Sequence, residues 1–296
     1  MQIIAIANQK GGQAKTTTAV NLAAGLAALE YYRKPTQPAR VLFVTLDPQA
    51  DGVAIIAHEM VSEVEPEAVG AAPRPAPSGK TMANLMIDDD PPPAVTLIRQ
   101  ARIPTIIPGP NLDYIPVDPA GMNNAMNTIV NVDAREYRLR EALEPLERMY
   151  KYVVVDTPTT LNMLALNALT AADYFIVPMV PAGSNLRFFK DLEATVRRVN
   201  KRLNPNLRML GILPSKAVLN RAEVINVLEE ISGRYKDLMF QPICERADVQ
   251  SAFSAGMDIF SYRPPRALSS GFISSNPAAQ EFGRFVKEVS KRLGNG

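Results

Sequence analysis

The chain has 296 residues, 47% of them hydrophobic, enough for one large core or two small ones. With 32 basic and 30 acidic residues the net charge is +2, so overall charge does not announce nucleic acid, and a local patch would have to carry such a role. One cysteine, Cys244, and one histidine, His58, exclude an intrachain disulfide and argue against a His/Cys metal cage or a Cys-ligated cluster, which fits a reducing cytosol; no apolar run approaches the roughly 18–20 residues of a membrane span.

The first predicted element is a buried strand, Ile3-Ile4-Ala5-Ile6-Ala7, with no basic leader before it and no room expected for a helix-turn-helix module. It runs into Gln9-Lys10-Gly11-Gly12-Gln13-Ala14-Lys15-Thr16-Thr17, and a helix is predicted from Thr16 to about Tyr32. Strand, Gly-containing turn and helix N-terminus make an anion cradle, because backbone N–H groups and the positive end of the helix dipole point at one spot. Lys15 can reach β/γ-phosphates and the Thr16 hydroxyl can ligate Mg²⁺. Lys10 through Thr17 is therefore a P-loop in substance. It departs from G-x-x-x-x-G-K-[ST] at Gln9 and Ala14. A Cβ at position 14, where the backbone is expected to need positive φ or close phosphate approach, costs about 1 kcal/mol or more.

A second strand, Arg40–Leu46, is apolar on both faces, as parallel strands are, and ends in Asp47-Pro48-Gln49. From about 61 to 119 prolines crowd together. Within that region we expect an exposed loop near Val69–Gly79, a short helix at Thr81–Met86, and strands at Ile103–Ile107 and Leu112–Pro116. Gly79-Lys80-Thr81 lacks a preceding strand and is read as chance, and Asp88-Asp89-Asp90 as a solvated turn. An amphipathic helix is predicted over Arg135–Tyr150, with Tyr137, Leu139, Leu143, Leu146 and Met149 on one side. Tyr152–Val155 then forms a strand ending in Asp156, a Walker B-type carboxylate placed to hold Mg²⁺ through water opposite Thr16.

Further elements are a helix in Leu161–Ala172, a strand at Tyr174–Pro178, a helix from about Leu186 to Leu203, a strand at Met209–Pro214 and a helix at Ala222–Tyr235. The Leu186–Leu203 helix carries Arg197, Arg198, Lys201 and Arg202 in its second half. These, with Arg221 in a later loop, are candidate DNA-phosphate contacts; a solvated helix face is the other reading. The last helix, Asn276–Leu293, repeats apolar residues at Phe282, Phe285, Val286, Val289 and Leu293, with Arg284, Lys287, Lys291 and Arg292 on its other side. The stripe is expected to pack on the sheet, with membrane-surface docking as the alternative. The fold expected is α/β: a P-loop NTPase with a mostly parallel twisted sheet flanked by helices on both faces, one domain over 1–296 with a Pro-rich insertion or diverged segment at about 61–110.

Several stretches together resemble the ParA/MinD family of ATPases. The loop is similar to its deviant Walker A motif K-G-G-x-G-K-[ST], where Gln at the first Gly is ordinary and Ala14 is not. Thr45-Leu46-Asp47-Pro48-Gln49 resembles its D-x-D-P-Q segment with the first carboxylate replaced by Thr45. Asp156-Thr157-Pro158 followed by Leu161–Asp173, the Leu112–Pro116 strand, and Ile243-Cys244-Glu245-Arg246 through Ile259 also match family patterns. The resemblance implies an ATP-bound sandwich dimer that binds nonspecific DNA, moves a plasmid, chromosome or other large cargo, and is timed by ATP hydrolysis that a ParB-like or adaptor protein stimulates. It implies ATP and Mg²⁺ as cofactors and a cytoplasmic, nucleoid-associated location. Lys10 would reach the partner subunit's phosphates, Lys15 would hold phosphate, Asp47 would orient the attacking water, and the 243–259 segment would lie near the adenine. A MinD-like membrane-surface ATPase and a hydrolysis-deficient nucleotide-dependent scaffold are the alternatives; Ala14 and Thr45 favour the last.

Overall fold

A computed structural model describes residues 1–57, 79–101, 111–160, 162–182, 185–263 and 276–294. The expected strand at Ile103–Ile107 and nearly all of the expected loop at Val69–Gly79 lie outside them. Among the described residues seven strands form one sheet in the order β3-β4-β2-β5-β1-β6-β7. They are β1 (Gln2–Ile6), β2 (Val41–Thr45), β3 (Arg99–Gln100), β4 (Leu112–Tyr114), β5 (Tyr152–Asp156), β6 (Tyr174–Met179) and β7 (Arg208–Pro214). All neighbours are parallel except β3, which runs antiparallel to β4 at one edge.

The central strands are apolar along their whole length because both sheet faces are covered. Side chains alternate between the faces. Ile3, Ala5, Val153, Val155, Phe175 and Val177 enter one core, with α3 (Met82–Ile87), α5 (Pro119–Thr128), α6 (Arg138–Leu143), α7 (Met163–Ala171), α8 (Asn185–Arg202) and α9 (Ala222–Tyr235) over them. Ile4, Ile6, Val41, Phe43, Val154 and Ile176 enter the other, under α1 (Lys15–Arg33), α2 (Asp51–Ala57), α10 (Ala247–Ser254) and α11 (Pro277–Arg292). The short α4 (Ala94–Leu97) precedes β3. The described part of the Pro-rich region thus supplies two helices and an edge strand to the fold.

Two expectations are corrected. The Arg135–Tyr150 helix is α-helical only from Arg138 to Leu143, and a 3₁₀ turn, Glu144–Leu146, follows. Pro145 has no N–H to continue the α-helical ladder. Leu139, Leu143 and Leu146 are buried as expected, whereas Met149 is exposed. The second correction is Arg292, assigned to the polar side of the last helix. Its guanidinium instead turns inward, donating to Leu210 O at 2.9 Å, Leu238 O at 3.2 Å and Met239 O at 2.8 Å, and lies 4.0 Å from the centre of the Phe240 ring. The helix's apolar stripe packs on the core as expected, with Phe282, Phe285, Val286, Val289 and Leu293 buried. No helix among the described residues is long and apolar enough to cross a membrane.

Arg292 donates to one carbonyl of β7 and two just before Phe240, and also pairs with Glu288 of its own helix. Arg292→Ala is expected to lower unfolding free energy by about 2–4 kcal/mol, through lost charge-assisted hydrogen bonds and ring stacking, while Lys291→Ala stays within about 0.5 kcal/mol. Urea denaturation of the two variants checks this.

Candidate nucleotide and metal site

The site sits at the C-terminal ends of β1, β2 and β5, where an open α/β sheet places ligands. The register sets its plan. Ile6 of β1 pairs with Asp156 of β5, and Asp156 pairs in turn with Thr45 of β2. Three strand ends, each leading into a functional loop, therefore stand side by side.

The loop after β1 is held at both ends. Asn8 Nδ2 donates to Pro178 O at 2.7 Å, and Asn8 Oδ1 accepts from Lys10 N at 3.1 Å. The buried Gln13 accepts from Val180 N at 2.8 Å. Both anchors reach the end of β6. Gly12 lies between them at φ 74°, and Ala14, next after Gln13, takes φ 61°, ψ 30°, so the residue standing for the second glycine does adopt the left-handed conformation. Ala14 is the N-cap of α1 and supplies no side-chain acceptor, so no side chain caps the first-turn N–H groups. Those donors, at the positive end of a 19-residue helix, suit an anion.

Lys15 is only 5% exposed, and burial holds its pKa below the usual lysine value, opposed by the negative charges of Asp156 and Asp47. Its Nζ lies 3.4 Å from Lys10 O. Asp156 is 1% exposed. Burial raises its pKa to about 7, and hydrogen bonds from Thr16 and Thr45 oppose the rise. Its Oδ1 is buried without a partner. An orphaned carboxylate oxygen on a group that the Thr16 hydroxyl also bonds is a hard-oxygen donor set that fits Mg²⁺. Asp47 is partly exposed in the turn after β2, where its Oδ1 accepts from Gln49 N at 3.0 Å.

A pocket of about 360 Å³ joins these parts to the late segment. Gly12 through Thr17 and Asp47 line one end, and Ile243, Cys244, Arg246, Val249, Phe253 and Phe282 the other. Glu281 of α11 shapes that second end, accepting from Cys244 N at 3.0 Å and from Arg246 Nη2 at 2.6 Å. Sequence reasoning missed Asn8, Glu281 and the anchoring role of Gln13. The Glu281–Arg246 pair joins residues 35 apart and leaves no local signal.

The basic candidates divide. Arg197, Arg198, Lys201 and Arg202 are exposed together along the last turns of α8. That helix end leads to the start of β7, on the opposite side of the sheet from the P-loop. Arg221 caps the start of α9, whereas Tyr235 at its far end bonds Glu193 of α8, so Arg221 stands roughly 20 Å along α9 from the cluster.

An AAA-domain family model matches residues 1–209. The chromosome partitioning protein ParA of Myxococcus xanthus is 35% identical over 251 residues, covering 83% of this chain and 75% of that one. The sporulation initiation inhibitor protein Soj of Bacillus subtilis is 32% identical over 264 residues, covering 89% and 92%. Among solved structures, cobyrinic acid a,c-diamide synthase from Mycobacterium smegmatis, with bound ATP analogue and magnesium, superposes with TM-score 0.65 at 26% identity, covering 92% of this chain and 97% of that one.

Two outcomes are expected at this site. Ala14→Gly removes a left-handed penalty of about 1–2 kcal/mol but gives back about 0.4–1 kcal/mol of unfolded-chain entropy. It should therefore stabilise by up to about 1 kcal/mol in urea denaturation, whereas Ala14→Val should destabilise. For Asp156, the folded chain binds more protons than the unfolded chain between its ordinary value of 3.8 and about 7. In metal-free buffer stability should fall as pH rises through that window and level off above it. Mg²⁺-dependent nucleotide affinity should rise from pH 6 to pH 8, since the cation requires the ionised carboxylate. Asp156→Asn should flatten both profiles in chemical denaturation and fluorescence titration.

Proposed function

The chain belongs to the ParA/MinD family of ATPases, and we propose that within it the protein is a ParA-type ATPase that partitions or positions a plasmid, chromosome or other large cargo. The observation that carries this reading is the uncapped α1 N-terminus set against a buried, half-unpaired Asp156. Such a pairing asks for an anion and a cation side by side, as a Mg²⁺–nucleotide supplies.

In this reading the N–H groups from Gly11 to Thr17 and the Lys15 ammonium bind the phosphates. Thr16 and Asp156 hold Mg²⁺, Asp156 through water. Magnesium supplies charge neutralisation of the phosphates. Asp47 orients the attacking water. Lys10 reaches the phosphates of a second subunit's ATP, where two like-charged triphosphates face each other and a cation supplied in trans is useful. The Ile243–Phe253 wall and Phe282 receive the base. The nucleotide-bound homodimer binds DNA without sequence preference through phosphate contacts by Arg197, Arg198, Lys201 and Arg202. Arg221, standing apart, belongs to a separate contact. A ParB-like or adaptor protein stimulates hydrolysis, which releases the DNA, so the protein works in the cytoplasm on the nucleoid.

The test combines fluorescent ATP binding, sedimentation and DNA retention. Mg²⁺–ATP should bind the unaltered chain, raise its sedimentation to that of a dimer and retain it on nonspecific DNA, with slow turnover. Lys10→Ala should keep monomer binding and lose the dimer. Replacing the four α8 cations by Ala should lower the slope of log affinity against log salt by about 2–4. Binding of nucleotide with neither dimer nor DNA retention overturns the reading.

A further inference from the structure

We propose that Thr45 is a positioning residue whose hydroxyl ties the turn carrying Asp47 to Asp156. Thr45 is fully buried at the last position of β2, directly beside Asp156 in the strand register. Its Oγ1 donates to Asp156 Oδ2 at 3.3 Å and accepts from Asp47 N at 3.1 Å. Asp47 N–H can only donate, so the hydroxyl accepts there, and its own proton is directed at Asp156 Oδ2, the arrangement that suits the ionised carboxylate. A carboxylate at position 45 could accept from Asp47 N but could not donate to Asp156, and it would set like charges against each other in a buried site. Valine could do neither. Of the near-isosteric residue types, only serine shares the arrangement.

The bridge leaves Asp156 with one oxygen satisfied by Thr45 and the other, Oδ1, without a partner. Oδ1 is therefore the oxygen left over, although the Thr16 hydroxyl also bonds this carboxylate. The Thr45 hydroxyl also sets where the turn begins: Asp47 O accepts from Ala50 N at 3.0 Å, and Ala50 takes φ 57°, a tight turn whose first amide is held by Thr45. The turnover arm of this inference rests on the ATPase reading; the structural arm does not.

The experiment compares Thr45→Ser and Thr45→Val in the full-length chain. Amide hydrogen exchange at Asp47 without nucleotide is expected to quicken about tenfold in Thr45→Val, the equivalent of one lost hydrogen bond, and to stay unchanged in Thr45→Ser. With Mg²⁺–ATP, kcat is expected to fall about 10- to 100-fold in Thr45→Val, with KM within about threefold, and to be retained in Thr45→Ser. The serine variant keeps the hydroxyl and loses the methyl, so it also covers the case in which valine prevents folding: serine behaving like the unaltered chain in both readouts supports the bridge. Unchanged Asp47 exchange in Thr45→Val, or equal losses in serine and valine variants, overturns it. Absence of turnover in the unaltered chain sinks the ATPase reading instead, and the exchange comparison still decides the role of Thr45.

Discussion

Asp156 is a carboxylate carried out of water on the central strands of a parallel sheet, with one oxygen bonded to Thr45 and the other left over. Burial of a charge is expensive unless it is paired, and the response of an unpaired carboxylate is to hold its proton. The raised pKa is that response. Everything around it serves to make ionisation possible on demand. Lys15 lies within electrostatic reach, its own charge held down by burial and supported by Asp156 and Asp47, while Thr16 and Thr45 direct hydroxyls at the carboxylate. The empty-handed oxygen and the uncapped helix end are two halves of one requirement: a cation for the first and an anion for the second.

The P-loop meets that requirement by being fixed from outside. Asn8 and Gln13 both tie it to the backbone at the end of β6, so the loop takes its shape from the sheet. This explains how alanine is tolerated at position 14. The left-handed conformation there costs about 1–2 kcal/mol, within what a few anchoring hydrogen bonds contribute. A loop free to relax would move Ala14 out of φ 61°; a tethered loop keeps it there, with the α1 donors still aimed into the pocket.

Much of the fold was legible because parallel strands covered on both faces read as unbroken apolar runs, and the P-loop, Asp47 and Asp156 each follow such a run. The helices expected at about Leu186–Leu203 and Ala222–Tyr235 match α8 and α9 within a residue. The failures share a cause, which is that pattern counts residues but not partners. Arg135–Tyr150 had the spacing of one helix, and a missing N–H at Pro145 divided it. Arg292 had the position of a solvated cation, and three carbonyls around Phe240 drew it inward. Glu281, which holds both Cys244 N and Arg246, is just another acid on an amphipathic helix until the chain is folded. Thr45 was legible as a departure from a family pattern, but the hydrogen bonds it makes were not.

The placement of the α8 cations turns on geometry of a different kind. They lie beyond the N-terminal edge of the sheet, and the pocket lined by Gly12 through Thr17 lies at the opposite edge. One rigid piece spans the gap. Helix α7 starts at Met163, a few residues beyond Asp156, with the Asn162 side chain capping it at Ala165 N. Its other end is clasped by Asn204, immediately after α8, whose Nδ2 donates to Leu169 O, Thr170 O and Ala172 O at 3.2, 3.1 and 2.7 Å. The segment after Asp156 and the end of the basic helix are thus joined through a single helix bonded at both termini. Contiguity alone is not coupling, and two discrete positions of α7 are what would convert this connection into a switch.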